Sequence, residues 1–384
     1  AGTDSCIKEM YIQVAANIWY VDGVNGDDGN GGTGWSDAFA TIGKALDVAG
    51  DYDLVLVADA TYNETDLNFK GKKIYLKGVA HNTAGAQPVI DCQQAGRAFY
   101  FGSGETKDSV IDNLVIRNGK VTDTYGGAIV CENNSCPTIM DCVFEDNSAA
   151  DTNGSYQKEN GGAIYCASSN PTITNCTFNG NSAGYWGGVV YCYASSINLT
   201  NCVFSGNSAG SIGGVIYCSR GSISITNCAF DGNSVTVYHG GAIYCYSSSL
   251  TLTNCIFIGN SASEYGGAIR CISNTSVDIT NCTFSGNSAD CGGAVYCSGS
   301  CTMTLNNCIL WGDSAGSSGD EINIEDSGSS CTLNYCCVDD TGYGGQTGSI
   351  VENSCIHQDP QFVDAAGGDY HLKDTSPCID AGDN

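Results

Sequence analysis

Cysteine offers this chain the most chemistry, at 24 of 384 positions. Fourteen cysteines fall into two series. Cys131, Cys166, Cys192, Cys218, Cys245, Cys271 and Cys297 each lie five residues after the first glycine of a Gly-Gly pair. Cys142, Cys176, Cys202, Cys228, Cys255, Cys282 and Cys308 follow 10 or 11 residues later, and Cys336 extends this second series. Thiols in register can oxidise to disulfides, bind metal, or fill a core as small apolar groups. No Cys-x-x-Cys or Cys/His zinc spacing occurs. So many thiols suit an oxidising compartment better than a reducing cytosol. The expectation is a mixture of buried column thiols and disulfides, with the remaining cysteines (Cys6, Cys92, Cys136, Cys291, Cys301, Cys331, Cys337, Cys355, Cys378) the better candidates for pairing.

Two other groups can bind something. Asp22, Asn25, Asp27, Asp28 and Asn30 crowd a Gly-rich loop and offer oxygens to a calcium ion, although the loop lacks the closing acidic residue of an EF-hand. Tyr165, Tyr191, Tyr217, Tyr244 and Tyr296 recur one per repeat and read as an outward aromatic ladder. Such a column either packs along a sheet or presents flat rings to sugars or to a neighbouring subunit.

Catalysis is less well provided for. Sugar cleavage needs paired carboxylates, or a Lys or Arg base beside acidic cation ligands. Glu145, Asp146, Asp231, Glu264, Asp278 and Asp290 are scattered and form no column. Arg270 takes the slot where neighbouring repeats carry Tyr244 and Tyr296, and is expected to be a solvated surface residue. His239 takes the slot of Trp186, Ile212 and Tyr265 and reads as repeat variation.

The elements that must position these residues are written in the repeat. Gly-Gly pairs begin at Gly126, Gly161, Gly187, Gly213, Gly240, Gly266 and Gly292, with steps of 26 or 27 residues after the first of 35. Such a period is the mark of a solenoid. Within one unit, Ala163–Cys166, Thr172–Thr174 and Cys176–Phe178 are short, β-branched or aromatic and alternating, so they read as three strands. Gly, Asn and Ser between them supply turns. A leucine-rich repeat shares the period, but Gly-Asn-Ser-Ala-Gly cannot hold its helical half. Ile164, Cys166, Ile173, Cys176 and Phe178 should face inward. Asn147, Asn181, Asn207, Asn233, Asn260 and Asn287 form one asparagine column, and Asn175, Asn201, Asn227, Asn254, Asn281 and Asn307 another. Stacked amides can bond from coil to coil.

Composition excludes several classes. With 14 basic against 41 acidic residues, the net charge is -27, which argues against a nucleic-acid partner. No apolar run approaches the roughly 20 residues needed to span a bilayer. The opening Ala1-Gly2-Thr3 is read as a mature terminus left by a removed signal peptide, hence an extracellular or cell-surface protein.

The motifs also carry a resemblance. Gly161-Gly162-Ala163-Ile164 with Phe178-Asn179-Gly180-Asn181 resembles the repeats of chlamydial polymorphic outer-membrane proteins and related bacterial right-handed β-helix proteins. The flanks, IWYVDGVNGDDGNGGTGWSDAFATIGKAL at 18–46 and DPQFVDAAGGDYHLKDTSPCIDAG at 359–382, resemble the entry and closing segments of secreted pectin-lyase-like β-helices. The resemblance implies fold rather than function, because that fold hosts adhesins, lyases, hydrolases and surface-layer proteins.

The reading is therefore all-β: a right-handed parallel β-helix solenoid with an N-terminal capping helix and an irregular C-terminal cap. Residues 1–60 should form the N-terminal strand and capping segment, 61–312 the β-helix with regular coils from about 126, and 313–384 irregular C-terminal coils and a cap. Ser36 is expected to cap a helix running to Ala49. Cys6, Ile7, Tyr11, Ile12, Val14, Ile18 and Tyr20 form a strand-like stretch expected to pair with a neighbour's edge and so to drive self-association. The expected role is structural and non-enzymatic, at a surface or in a filament, with glycan adhesion and polysaccharide cleavage as alternatives. No cofactor is expected beyond the calcium candidate.

Overall fold

A computed structural model describes residues 15–150 and 159–382. One coil shows how the repeat folds. Its strands are Ile216–Ser219, Ser222–Thr226, Ala229–Asp231 and Ser234–Val235. Among the described residues, such strands stack in parallel into sheets of 13, 10, 11 and 8 strands. The coil thus has four faces where the sequence pointed to three. The additional face comes from the Asn-Ser-Ala stretch, which a two-residue strand leaves too short to show alternation.

The corners explain the punctuation. Asn175, Asn201, Asn227, Asn254, Asn281 and Asn307 all adopt φ of 53–54°, a left-handed conformation that asparagine tolerates better than most residues. The two glycines of each pair have different duties. Gly213 has φ +66°, while a Cβ on Gly214 would sit 2.0 Å from the Gly241 carbonyl oxygen of the next coil. One supplies conformation and the other close approach.

In-register pairing puts like on like. Tyr217 pairs with Tyr244, Cys218 with Cys245, and Phe230 with Phe257. The rings of Phe204, Phe230 and Phe257 lie 4.8 and 4.5 Å apart and nearly parallel. The buried asparagines bond along the axis: Asn207 Nδ2 donates to Asn233 Oδ1 at 3.0 Å, and Asn233 Nδ2 to Asn260 Oδ1 at 2.9 Å. The outer column does the same in solvent, with Asn227 Nδ2 donating to Asn201 Oδ1 at 3.1 Å.

All fourteen column cysteines point inward, at 0–3 % exposure, and the described cysteines are free thiols. The second column has a definite use. Cys202 and Cys228 donate Sγ–H to the carbonyls of Thr200 and Thr226, both at 3.3 Å. A small thiol can therefore follow the left-handed asparagine without stranding a buried acceptor.

The N-terminal end is closed by residues 22–48. The helix is Ile42–Val48, capped by Thr41, whose hydroxyl accepts from the Lys44 amide. Ser36 instead sits in a 3-10 turn at Trp35–Asp37. Phe39, expected on the helix, precedes it and is held as a bridge to Val21. The half-buried Glu64 carboxylate accepts from the Ile42 and Gly43 amides at 2.7 and 2.8 Å, placing negative charge at the helix start. Ile42, Ala45 and Leu46 are buried.

Ile18 and Tyr20 belong to strand Ile18–Val21, which pairs with Leu54–Ala58 of the same chain. On its other edge, Tyr20 donates to the Gly32 carbonyl and accepts from the Phe39 amide, each at 2.9 Å. This strand is the first rung of its own solenoid, rather than a strand offered to a neighbour. Cys6, Ile7, Tyr11, Ile12 and Val14 lie outside the described residues. The 13-stranded sheet continues without interruption to Ile350–Asn353, so 18–60 and 313–353 contribute rungs to the same stack. Beyond them a hairpin of Phe362–Asp364 and Asp369–Leu372 folds back along the flank. It brings Tyr370 to Ser285 and Asp231.

Candidate functional site

The tyrosine column is the first place to look for function, and it is covered. Trp186, Ile212, His239, Tyr265 and Cys291 bridge one another in sequence as a row. This row lies over the column, with Trp186 stacked 4.8 Å from Tyr217 and Tyr265 4.6 Å from Tyr296. Tyr191, Tyr217, Tyr244 and Tyr296 retain 9, 8, 7 and 3 % exposure, and Tyr165 is half-buried. They point outward from the coil, as the alternation implied, but they form no open sugar platform. The covering slot varies in residue type, so in the sequence it passed for an ordinary turn.

Arg270 overturns its expectation too. It is 7 % exposed, and its guanidinium lies 4.7 Å from the Tyr265 ring centre, 5.2 Å from Tyr296 and 5.8 Å from Tyr244. Its Nε and Nη1 are buried without a hydrogen-bond partner. Cation–π attraction compensates in part for the lost solvation. Burial, and then the Arg270 charge, push His239 down to about 3, so the imidazole is neutral near pH 7. Its Nδ1 lies 3.6 Å from Glu264 Oε2. Burial pushes the Tyr165 and Tyr217 hydroxyls up to about 12. The neutral His239 and the raised Tyr165 and Tyr217 hydroxyls are thus held away from proton exchange near neutrality. It is suited to holding coils together.

A carboxyl pair does occur, at the end of the inner asparagine ladder. Asp313 stands 26 residues after Asn287 and accepts from the Asn287 amide and Nδ2, both at 2.7 Å. Glu321 lies beside it. Burial pushes Asp313 up to about 6. Burial and the Asp313 charge push Glu321 up to about 10. Asp313 Oδ2 and Glu321 Oε2 have no donor partner unless one carboxyl keeps its proton. Exposures of 7 and 2 % keep both from any substrate.

The calcium candidates are engaged elsewhere. Asp22 Oδ1 accepts from the Val24 amide, and Oδ2 from Asn25 Nδ2. Asp27 caps the Gly29 amide, and Asn30 donates to the Ala38 carbonyl. Asp28 accepts from the Ala40 and Thr41 amides and from the Thr41 hydroxyl. These side chains fold the cap, and among the described residues no three acidic, His or Cys side chains converge on a common ion position.

One open feature lies outside every repeating column. Tyr193 and Tyr246, both 38 % exposed, stand two rungs apart, with Arg220 between them. Arg220 Nη1 reaches the Tyr193 hydroxyl at 3.2 Å. Beside them is a shallow depression of about 440 Å³, lined by Arg220, Gly221, Ala194 and serines 195, 196, 222, 247 and 248. The exposed tyrosines sit two residues beyond Tyr191 and Tyr244, which was the available signal.

Parallel stacking over four faces is matched by a family model, described as right handed beta helix region, over residues 68–230 and 213–377. The chain belongs to this right-handed β-helix family. No curated protein sequence matches it. Among solved structures it is similar to a rhamnogalacturonan lyase at 14 % identity, covering 90 % of each chain, with a TM-score of 0.36. A lacto-N-biosidase from Eubacterium ramulus is similar at 12 % identity, covering 88 % of this chain and 68 % of that one, TM-score 0.37. A pectate lyase is similar at 14 % identity, covering 96 and 92 %, TM-score 0.38. For this β-helix, no helix among the described residues is long and apolar enough to cross a membrane.

Proposed function

We propose that this β-helix is a non-enzymatic structural rod at an extracellular surface. The observation that carries the reading is the aromatic seam: the side chains best able to grip a ligand are spent on binding coil to coil. The outer face of the long sheet supports it with short polar side chains, such as Ser222, Ser224 and Thr226 in one rung and Ser249, Thr251 and Thr253 in the next. Electron microscopy of the purified chain should show stiff rods, and a panel of acidic and neutral polysaccharides should yield no new reducing or unsaturated ends. Release of such ends would overturn the proposal. Rods joined end to end would extend it to self-association. The last rung, Ile350–Asn353, has one sheet neighbour among the described residues and is the end left to take a partner.

Glycan adhesion is the second reading, favoured by the Tyr193–Arg220–Tyr246 depression. Two exposed rings and a guanidinium beside serine hydroxyls suit an acidic sugar. A glycan array compared with the double variant Tyr193→Ala, Tyr246→Ala tests it, and equal binding by both proteins would refute it.

A further inference from the structure

The C-terminal closing segment is zipped onto the chain just before it. Lys373 donates its amide to the Gln361 carbonyl at 3.0 Å, and the Thr375 hydroxyl donates to Gln361 Oε1 at 2.7 Å. The Ser376 hydroxyl donates to the Pro360 carbonyl at 2.6 Å and accepts from the Cys378 amide at 3.1 Å. From the other side, Cys337 sits in the short strand that ends the 11-stranded sheet. Its Sγ donates to the Gln358 carbonyl at 3.2 Å. The same corner, residues 358–360, therefore holds both cysteines, and their thiols are in hydrogen-bonding contact.

We propose that Cys337 and Cys378 form a disulfide that clasps the closing segment to the last coils, made by exchange with an external disulfide. The column cysteines do not compete with this pair. Cys192 and Cys218 are in-register partners on adjacent parallel strands. Their Cβ atoms point the same way at about the strand spacing of 4.8 Å, beyond the roughly 3.5–4.5 Å a disulfide wants. They are also at 0 % exposure, closed to an oxidant. Cys337 and Cys378 approach from different segments, and Cys378 is partly exposed.

Chemistry assigns an order of events. The neighbouring Cys337 thiol, acting against burial, brings Cys378 down to about 7, while the same contact and burial push Cys337 up. The Cys378 thiolate attacks one sulfur of the external disulfide, expelling a thiolate and leaving a mixed disulfide. Cys337 loses its proton to solvent, attacks Cys378 Sγ and expels the second thiolate. Two protein thiols are oxidised by two electrons, and one external disulfide is reduced to two thiols.

The extracellular reading bears only on where the oxidant comes from. The test uses glutathione buffers, so failure of either idea is distinguishable. The full chain is equilibrated natively with oxidised glutathione, denatured, alkylated, digested and mapped by mass spectrometry. The expected result is one peptide pair joined through Cys337 and Cys378, with the fourteen column cysteines alkylated. Adding reductant should lower the wild-type thermal midpoint, and Cys378→Ser should abolish that dependence. Recovery of Cys337 and Cys378 as separate alkylated thiols, or linkage of Cys378 to another cysteine, would overturn the proposal. The mapping needs no variant, so poor folding of Cys378→Ser leaves it decisive.

Discussion

Replacing Asn233 by Ala should be among the costliest single truncations of a polar side chain in this molecule. Asn233 is at 0 % exposure and takes part in four side-chain hydrogen bonds. Its Oδ1 accepts from the Asn207 amide and from Asn207 Nδ2, both at 3.0 Å. Its Nδ2 donates to the Phe204 carbonyl at 3.0 Å and to Asn260 Oδ1 at 2.9 Å. Asn260 Oδ1 keeps the Asn233 amide as a donor at 3.1 Å, so it is not stranded. Two groups are: the Asn207 amide and one Asn207 Nδ2 hydrogen, whereas the Phe204 carbonyl keeps its ladder bond from the next coil. At about 1–3 kcal/mol for each buried orphan, eased in part if a water enters the vacated space, the cost is about 2–4 kcal/mol. The control is Asn227→Gly in the outer ladder. It loses bonds to Asn201 and Asn254 at 3.1 and 3.2 Å, keeps its left-handed φ without strain, and is re-solvated, costing about 1 kcal/mol or less. Guanidinium denaturation of both variants, with hydrogen exchange at the Asn207 amide as a local readout, measures the difference. Equal costs, or unchanged protection at Asn207, would show that the inner ladder is not a stabilising device.

Arg270→Tyr restores the residue type of the neighbouring rungs and removes two buried N–H groups without acceptors. It should raise stability by about 1–2 kcal/mol in a thermal melt. Gly214→Ala drives a Cβ into the Gly241 carbonyl and should cost about 3 kcal/mol by the same assay, whereas Gly206→Ala, with open space but φ +60°, should cost about 1 kcal/mol. Asp313 and Glu321 both titrate above their ordinary range. The stability they lend is therefore complete at acid pH and is lost as pH rises through about 6 and on toward about 10. Wild-type unfolding midpoints should fall from about pH 5 to about pH 9, and Glu321→Gln, a fixed hydrogen donor to Asp313, should flatten that slope.

Much of the fold was written in residues that recur without change. Cys202, Phe204 and Asn207 with their repeats fix which side chains enter the core, because an in-register solenoid makes periodicity and contact the same thing. What varied between repeats was harder to read. Ser182–Ala183 forms a strand too brief to display a period. Trp186, Ile212, His239 and Tyr265 share one position but no chemistry, and only the stack reveals that they roof the tyrosines. Arg270 looked solvated for the same reason. The Asp313–Glu321 pair joins residues from two faces, which spacing along one column does not bring together. Thr41 displaced Ser36 as helix cap because Asp28 and Glu64, distant in sequence, hold the turn around it.

The inner ladder also has a direction. Each asparagine both receives hydrogens from the coil before and passes them to the coil after, so a coil can be inserted or removed anywhere along it with the relay intact. Asp313 receives but carries no amide hydrogen to pass on. It is a terminator: the rod can lengthen by whole coils ahead of it, and its length becomes a count of repeats, as on a ruler with one fixed end.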